Sequence, residues 1–190
     1  MRKTALGILL LSSMLSSGCS ELTKPTQGSS QMSTGRTLSE SIYFTQADEH
    51  PERAIRSVIQ NAKSTLDIAI YSITEDSIVK EIVNAKRRGV KVRVITDDQQ
   101  VQNKYQNEDI RKLLSEGIPV KVNSHSGLMH LKMTVADRQV FAVGSFNYTK
   151  AASTTNDEVL IVLNDPQGAE KCGREFERMW NDSKEFRDFR

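Results

Sequence analysis

The sequence predicts an α/β sandwich built on a mixed β-sheet. Three observations carry this. Short runs rich in Val and Ile alternate with stretches whose apolar residues recur at helical spacing. Strands separated by helices in this way form layered α/β folds. One pair of runs, residues 130–136 and 139–143, is joined by too little chain for a helix and reads as a hairpin, which makes the sheet mixed rather than wholly parallel.

Each element has its own signal. Residues 41–45 form a short strand-like run. Pro51 opens a helix with Ala54, Ile55, Val58, Ile59 and Ala62 on one face. Residues 66–73 read as a strand of alternating character. Asp76 or Ser77 can cap a helix that carries Ile78, Val79, Ile82 and Val83 and ends at Gly89. In the strand at 90–96, Val90, Val92 and Val94 face one way, Lys91 and Arg93 the other. Residues 99–107 are polar and read as a loop, and residues 110–114 belong to a third helix closed near Gly117. A short strand at 120–122, the hairpin and a strand at 158–163 follow. Pro166 leads into a last helix with Ala169, Cys172, Phe176 and Met179 on its apolar stripe, where Cys172 is expected to be a buried, inert thiol.

The N-terminus reads as an address. Arg2 and Lys3 precede an uncharged stretch whose apolar part, residues 5–15, is too short to span a bilayer. Small residues and then Cys19 follow, as in a secretory signal. Ser16, Ser17, Gly18 and Cys19 resemble a bacterial lipoprotein cleavage box, which implies a signal peptide over 1–18 and lipid attached to Cys19. Ser20 after the cysteine implies the outer membrane of the cell envelope; plain secretion or a soluble periplasmic protein is the alternative. Residues 19–40 read as a Ser/Thr/Gln/Gly-rich tether that cannot bury enough surface to fold, leaving 41–190 as the folded domain.

Composition narrows the rest. Apolar residues are 37% and charged residues 26% of 190, which is ordinary for a globular protein. Two cysteines exclude a disulfide framework and a four-cysteine metal site. Only three histidines occur, without H-x-H or H-x-x-x-H spacing, so no metal or other cofactor is expected. Asp97 and Asp98 read as a cap or turn.

The hairpin carries the chemistry. His130 and Lys132 share a strand face, placing an imidazole beside an ammonium. A turn centred on Asp137 and Arg138 places Ser145 directly opposite His130, with Asn147 two residues further along. A base or nucleophile, a fixed cation, a hydroxyl and an amide suit a phosphate group. Asp157 and Glu158 open the next strand, where a carboxylate could orient the imidazole from behind.

His130-x-Lys132-x4-Asp137, then Gly144-Ser145-Phe146-Asn147, then Glu158, resembles the HKD signature of the phospholipase D superfamily, and most of all its small, single-motif bacterial endonucleases, the Nuc-like branch. The resemblance covers residues 41–180. It implies an α/β/α sandwich around a mixed sheet and metal-independent phosphodiester hydrolysis. His130 would attack phosphorus and form a phosphohistidine. Lys132 and Asn147 would hold the phosphoryl oxygens with help from Ser145, and Glu158 would hydrogen-bond the other ring nitrogen of His130. Asp137 would order the turn and the charge around it. The chemistry needs two imidazoles, and neither His50 nor His125 stands in an H-x-K context, so the implied active species is a homodimer with one composite site. His125 lies in a Ser/Gly loop near the site.

The substrate class is a phosphodiester. Residues 84–151 hold twelve Lys or Arg against six Asp or Glu, in a chain that is neutral once 1–18 are removed. That excess favours DNA or RNA without sequence specificity. A phospholipase with Leu128 and Met129 at its entrance, and a non-catalytic nucleic-acid-binding lipoprotein, are the alternatives.

Overall fold

A computed structural model of the chain describes residues 39–190; the signal segment, Cys19 and nearly all of the tether lie outside the described residues. Eight strands form one sheet: β1 (Ser39–Phe44), β2 (Thr65–Ile70), β3 (Lys91–Thr96), β4 (Val120–Asn123), β5 (Lys132–Ala136), β6 (Val140–Gly144), β7 (Val159–Asn164) and β8 (Phe186–Asp188). Their order is β1-β7-β6-β5-β2-β3-β4-β8. Only β2/β3 and β3/β4 pair in parallel. Those two pairs are joined through the long helices α2 (Asp76–Arg87) and α3 (Lys104–Ser115). The remaining pairs are antiparallel, so the sheet is mixed as predicted.

Helices cover both faces. Ile55 and Ile59 of α1 (Pro51–Asn61), Ile78 and Ile82 of α2, and Ile110 and Leu113 of α3 pack on Leu66, Ile68, Val92, Val94 and Val120. On the opposite face, Ala169, Phe176 and Met179 of α5 (Pro166–Asn181) pack on Ala69, Ile95, Met133, Val135 and Phe141. Each of these fully buried side chains contributes about 1.5–3 kcal/mol by leaving water. Cys172 is only half-buried on α5, and burial pushes its thiol upward.

Several local expectations change. β2 does not alternate, because a central strand covered on both sides is buried at every position from Leu66 to Ile70. Glu75 precedes α2 without a side-chain cap, and Asp76 lies in its first turn. The polar stretch after β3 is not a loop throughout: Asn103 caps α3 by accepting from the Tyr105 N–H at 3.0 Å, so the helix starts six residues earlier than its apolar run. A short helix, α4 (Lys150–Thr154), and the edge strand β8 carry too little apolar periodicity to be read in advance.

The hairpin differs by one residue, with consequences for the site. Asp137 and Arg138 both adopt φ of 54°, and the Gln139 N–H closes the turn on the Ala136 carbonyl at 3.0 Å. The ladder resumes at Val140, which pairs with Ala136, so Gln139 is an extra residue. The Asp137 carboxylate imposes this turn. It accepts from the N–H groups of Lys63, Ser64 and Thr65 at 2.7–2.9 Å, pinning the hairpin tip to the start of β2. Burial alone would raise its pKa, but the Thr65, Lys63 and Ser64 amides together hold the carboxyl below its ordinary value. Asp137 therefore orders the turn, and stands at the opposite end of β5 from His130.

Candidate active site

The site lies at one end of the sheet, where β2, β3 and β6 finish and β5 and β7 begin. Ligands in open α/β sheets bind at this carboxyl edge of the parallel strands. β5 starts at Lys132, so His130 precedes the strand rather than forming part of it. The β2–β5 backbone pairing continues one step, through the Tyr71 N–H to the Leu131 carbonyl at 2.9 Å, and this sets the direction of the His130 backbone.

His130 is exposed and Lys132 is 8% exposed, so the imidazole projects to solvent above a buried ammonium. Lys132 Nζ lies 3.1 Å from His130 Nε2 and donates to the His130 carbonyl at 3.0 Å. It also sits 4.8 Å from the centre of the Tyr71 ring, which in turn lies 4.5 Å from the His130 ring. Burial lowers the Lys132 pKa, and the Glu158 charge opposes that shift. A charged lysine only donates, so Nε2 is the nitrogen that carries a lone pair and Nδ1 carries the proton. The unprotonated nitrogen is thus the one beside the cation.

The other predicted residues fall into two groups. Asn147 Oδ1 accepts from the Ser72 N–H at 3.3 Å, in the loop that follows β2 and carries Tyr71. Ser145 and Glu158 bond to each other instead of to the imidazole. The Ser145 hydroxyl donates to the Glu158 carboxylate and accepts from the Val159 N–H at 3.2 Å, while Asn156 donates to the same carboxylate at 3.1 Å. Ser145 therefore does not stand opposite His130, and within one chain Glu158 does not bond to its ring. The register shift made by Gln139 is the reason. Gly144 keeps β6 and β7 close where Ser145 meets Glu158: a Cβ at 144 would lie 2.1 Å from the Val159 carbonyl oxygen.

Four residues position this set without having been singled out for the site. Asp97, fully buried after β3, accepts from Gln99, Gln100 and Met129 N–H groups and so anchors the loop leading into His130. Gln106 of α3 bonds to Ile73, Tyr71 and Thr96, fixing the loop after β2. Tyr148 bonds through its hydroxyl to Thr134 at 2.6 Å, and its backbone receives Thr74 and Glu75, which locks the segment carrying Asn147. Tyr71 forms the wall behind His130. Tyr71 and Asp97 directly follow the two parallel strands, and that position was the available signal.

Beside His130 runs a cleft of about 510 Å³ bordered by His125, Leu128, Met129, Leu131, Met179 and Phe186. His125 thus shares the cleft with His130, its ring edge-on to Phe186. Part of the basic segment is neutralised by ion pairs. Arg93 and Arg138 are paired with Asp67 and Glu177 on the α5 face, and Arg87 is paired with Glu116. Among the described residues no group of His, Cys, Asp or Glu is placed to hold a metal ion.

Residues 55–180 match the family described as cardiolipin synthase, PLD-like domain, which is more than half of the chain. The chain belongs to the phospholipase D superfamily. Within that superfamily it is similar to Nuc from Salmonella typhimurium, a phospholipase D family member, with a TM-score of 0.75 and 30% identity over 80% of this chain and 99% of Nuc. It is 35% identical to a mitochondrial cardiolipin hydrolase from Chlamydomonas reinhardtii over 64% of this chain and 53% of that protein. It is also 31% identical to a phospholipase D from Rickettsia felis over 61% of this chain and 57% of that protein. The chain thus spans just over half the length of these two curated relatives. The exposed imidazole, the buried cation beside it and the amide of Asn147 all lie within the matched residues, at one end of the sheet.

Proposed function

We propose that the protein is an endonuclease that hydrolyses DNA or RNA without sequence specificity, through a phosphohistidine. The observation that carries this reading is the match to Nuc over nearly the whole of that chain, with the His130 imidazole exposed above the buried Lys132. His130 Nε2 attacks phosphorus, the P–N bond forms and the P–O bond to the leaving strand breaks. Lys132 leaves the imidazole for a phosphoryl oxygen, and the Asn147 amide adds a directional donor. These groups stabilise the charge that develops in the transition state without needing a metal.

The leaving oxygen needs a proton, and the attacking imidazole cannot give it. A second copy of the chain supplies it from its own His130, across a two-fold axis. The neutral imidazole left behind then activates water, which cleaves the P–N bond. Ile42 and Phe44 of β1, 43% and 50% exposed, give apolar area for pairing near Ser145 and Glu158. In this reading Glu158 serves the composite site of the dimer. Lipid on Cys19 would hold both copies at the envelope membrane.

The second reading is a lipid phosphodiesterase. It is favoured by the apolar lining of the cleft on His130, with Leu128 and Leu131 44% and 39% exposed, and by the names of the two curated relatives. The deciding experiment incubates the purified chain, in excess EDTA, with plasmid, single-stranded DNA, RNA and cardiolipin-containing vesicles in parallel. Cleavage of nucleic acid with intact lipid supports the nuclease; the reverse pattern establishes the lipid reading. Activity that needs added metal overturns both forms of this chemistry.

A further inference from the structure

A second cleft, of about 470 Å³, lies between the loop after β2 and the start of α3. Ser72, Thr74, Gln100, Asn103, Tyr105 and Gln106 border it, with Asp76, Glu108 and Asp109 beyond. It shares its wall with the active site twice. Gln100 donates to the Tyr71 hydroxyl at 2.8 Å, and the Tyr71 ring rests on His130. The Ser72 N–H donates to Oδ1 of Asn147, the residue assigned to the phosphate. The wall is rigid, because buried Gln106 ties the loop after β2 to β3.

Tyr105 stands over this cleft and is 69% exposed, the most exposed of the large apolar side chains among the described residues. Its backbone is held by the Asn103 cap. An aromatic ring held at this exposure leaves most of its apolar face in water, and a stacked partner would cover it. The three carboxylates exclude a phosphate from the cleft, and its amide and hydroxyl groups suit the edge of a heterocycle.

We propose that Tyr105 and this cleft form a nucleobase subsite: an unpaired base next to the scissile phosphate stacks on the Tyr105 ring while its phosphate lies at His130. The inference rests on the nuclease reading and adds to it a preference for single strands, since a base must leave its helix to stack here. Base–aromatic stacking is indifferent to base identity, which fits cleavage without sequence specificity.

The test uses the full chain with Tyr105→Ala and Tyr105→Trp. The substrates are a single-stranded oligonucleotide, the same sequence as a duplex, and bis(p-nitrophenyl) phosphate, a diester with no base. Tyr105→Ala is expected to raise KM for the single strand roughly five- to hundredfold, to leave the chromogenic diester unchanged, and to remove the preference for single over double strand. Tyr105→Trp is expected to retain wild-type KM. Unchanged single-strand cleavage in Tyr105→Ala, with wild type active, overturns the subsite and leaves the nuclease reading standing. Loss on the chromogenic diester as well overturns it in favour of a structural role. A wild type that cleaves the diester and phosphatidylethanolamine vesicles but no nucleic acid overturns the nuclease reading and the subsite together.

Discussion

Lys132 Nζ stands 3.1 Å from His130 Nε2, a buried cation donating to the one imidazole of the H-x-K pair. The contact fixes the tautomer, leaving the lone pair on the nitrogen nearest the bound positive charge. An incoming phosphate takes Lys132 as its partner and meets that lone pair in the same movement. His130→Ala should therefore lower turnover by on the order of 10⁴-fold or more, whereas Lys132→Ala removes only charge stabilisation and should cost on the order of 10²- to 10³-fold. Steady-state rates with circular dichroism on each variant separate these effects from misfolding. Wild-type turnover in a folded His130→Ala protein contradicts the mechanism.

Burial lowers the Lys132 pKa below 10.5, with the Glu158 charge working against it. Activity needs the ammonium, so kcat/KM, which reports the free enzyme, should fall on the alkaline side before an ordinary lysine discharges. Bound phosphate restores the charge, so the limb in kcat should lie at higher pH. Lys132→Arg stays charged and should lose the limb, with a lower plateau because the fork does not fit a point-charge site. A limb that persists in the arginine variant assigns it to another group.

Asp137 holds three backbone amides at the start of β2. Asp137→Asn keeps a side chain that tolerates φ of 54°, removes the charge and turns one of the two accepting oxygens into an NH2 donor. It should lose about 1–2 kcal/mol at pH 7, discounted for partial exposure. The folded carboxyl titrates below its ordinary 3.8, so this contribution is complete above that value and vanishes as pH falls through the folded pKa. Urea unfolding of both proteins across acid pH should show the two curves converging. A constant gap would mean that shape, not charge, supplies the stability.

A composite site makes a sharp statement about mixed dimers. Wild type co-expressed with excess tagged His130→Ala should give heterodimers with almost no activity, since each lacks either the attacking or the protonating imidazole. Heterodimers with half the wild-type rate, or a monomer at full rate, would show that one chain suffices.

The lipid expectation is tested apart from catalysis. Mass spectrometry of the membrane fraction should find an acylated N-terminal Cys19, absent in Cys19→Ala. Wild type cut at another residue and recovered in the soluble fraction would refute it.

Much of the fold was legible because its signals are local. Helical spacing in α1, α2 and α5, and the Val/Ile runs of β2, β3 and β7, are short-range patterns that survive without knowledge of the neighbours. That His130 and Lys132 lie side by side was legible from spacing along one stretch of chain. The partners of Ser145 and Glu158 were not, because they depend on register. One extra residue, Gln139, moves Ser145 away from the position facing His130 and toward Glu158, and its cause is a carboxylate bonding to amides more than 70 residues away in sequence. Tyr71, Asp97 and Gln106 escaped for the same reason: each matters through bonds to distant chain, and nothing in their own neighbourhood differs from ordinary strand ends and helix surface. The pairing of Arg93 and Arg138 with Asp67 and Glu177 was not legible either, because it is decided only when β3, the hairpin tip and α5 come together. Sequence alone thus determined which chemical groups the chain carries and which elements bear them. Tertiary structure decided which of those groups meet, because hydrogen bonds and ion pairs act over a few ångströms of space whatever their separation along the chain.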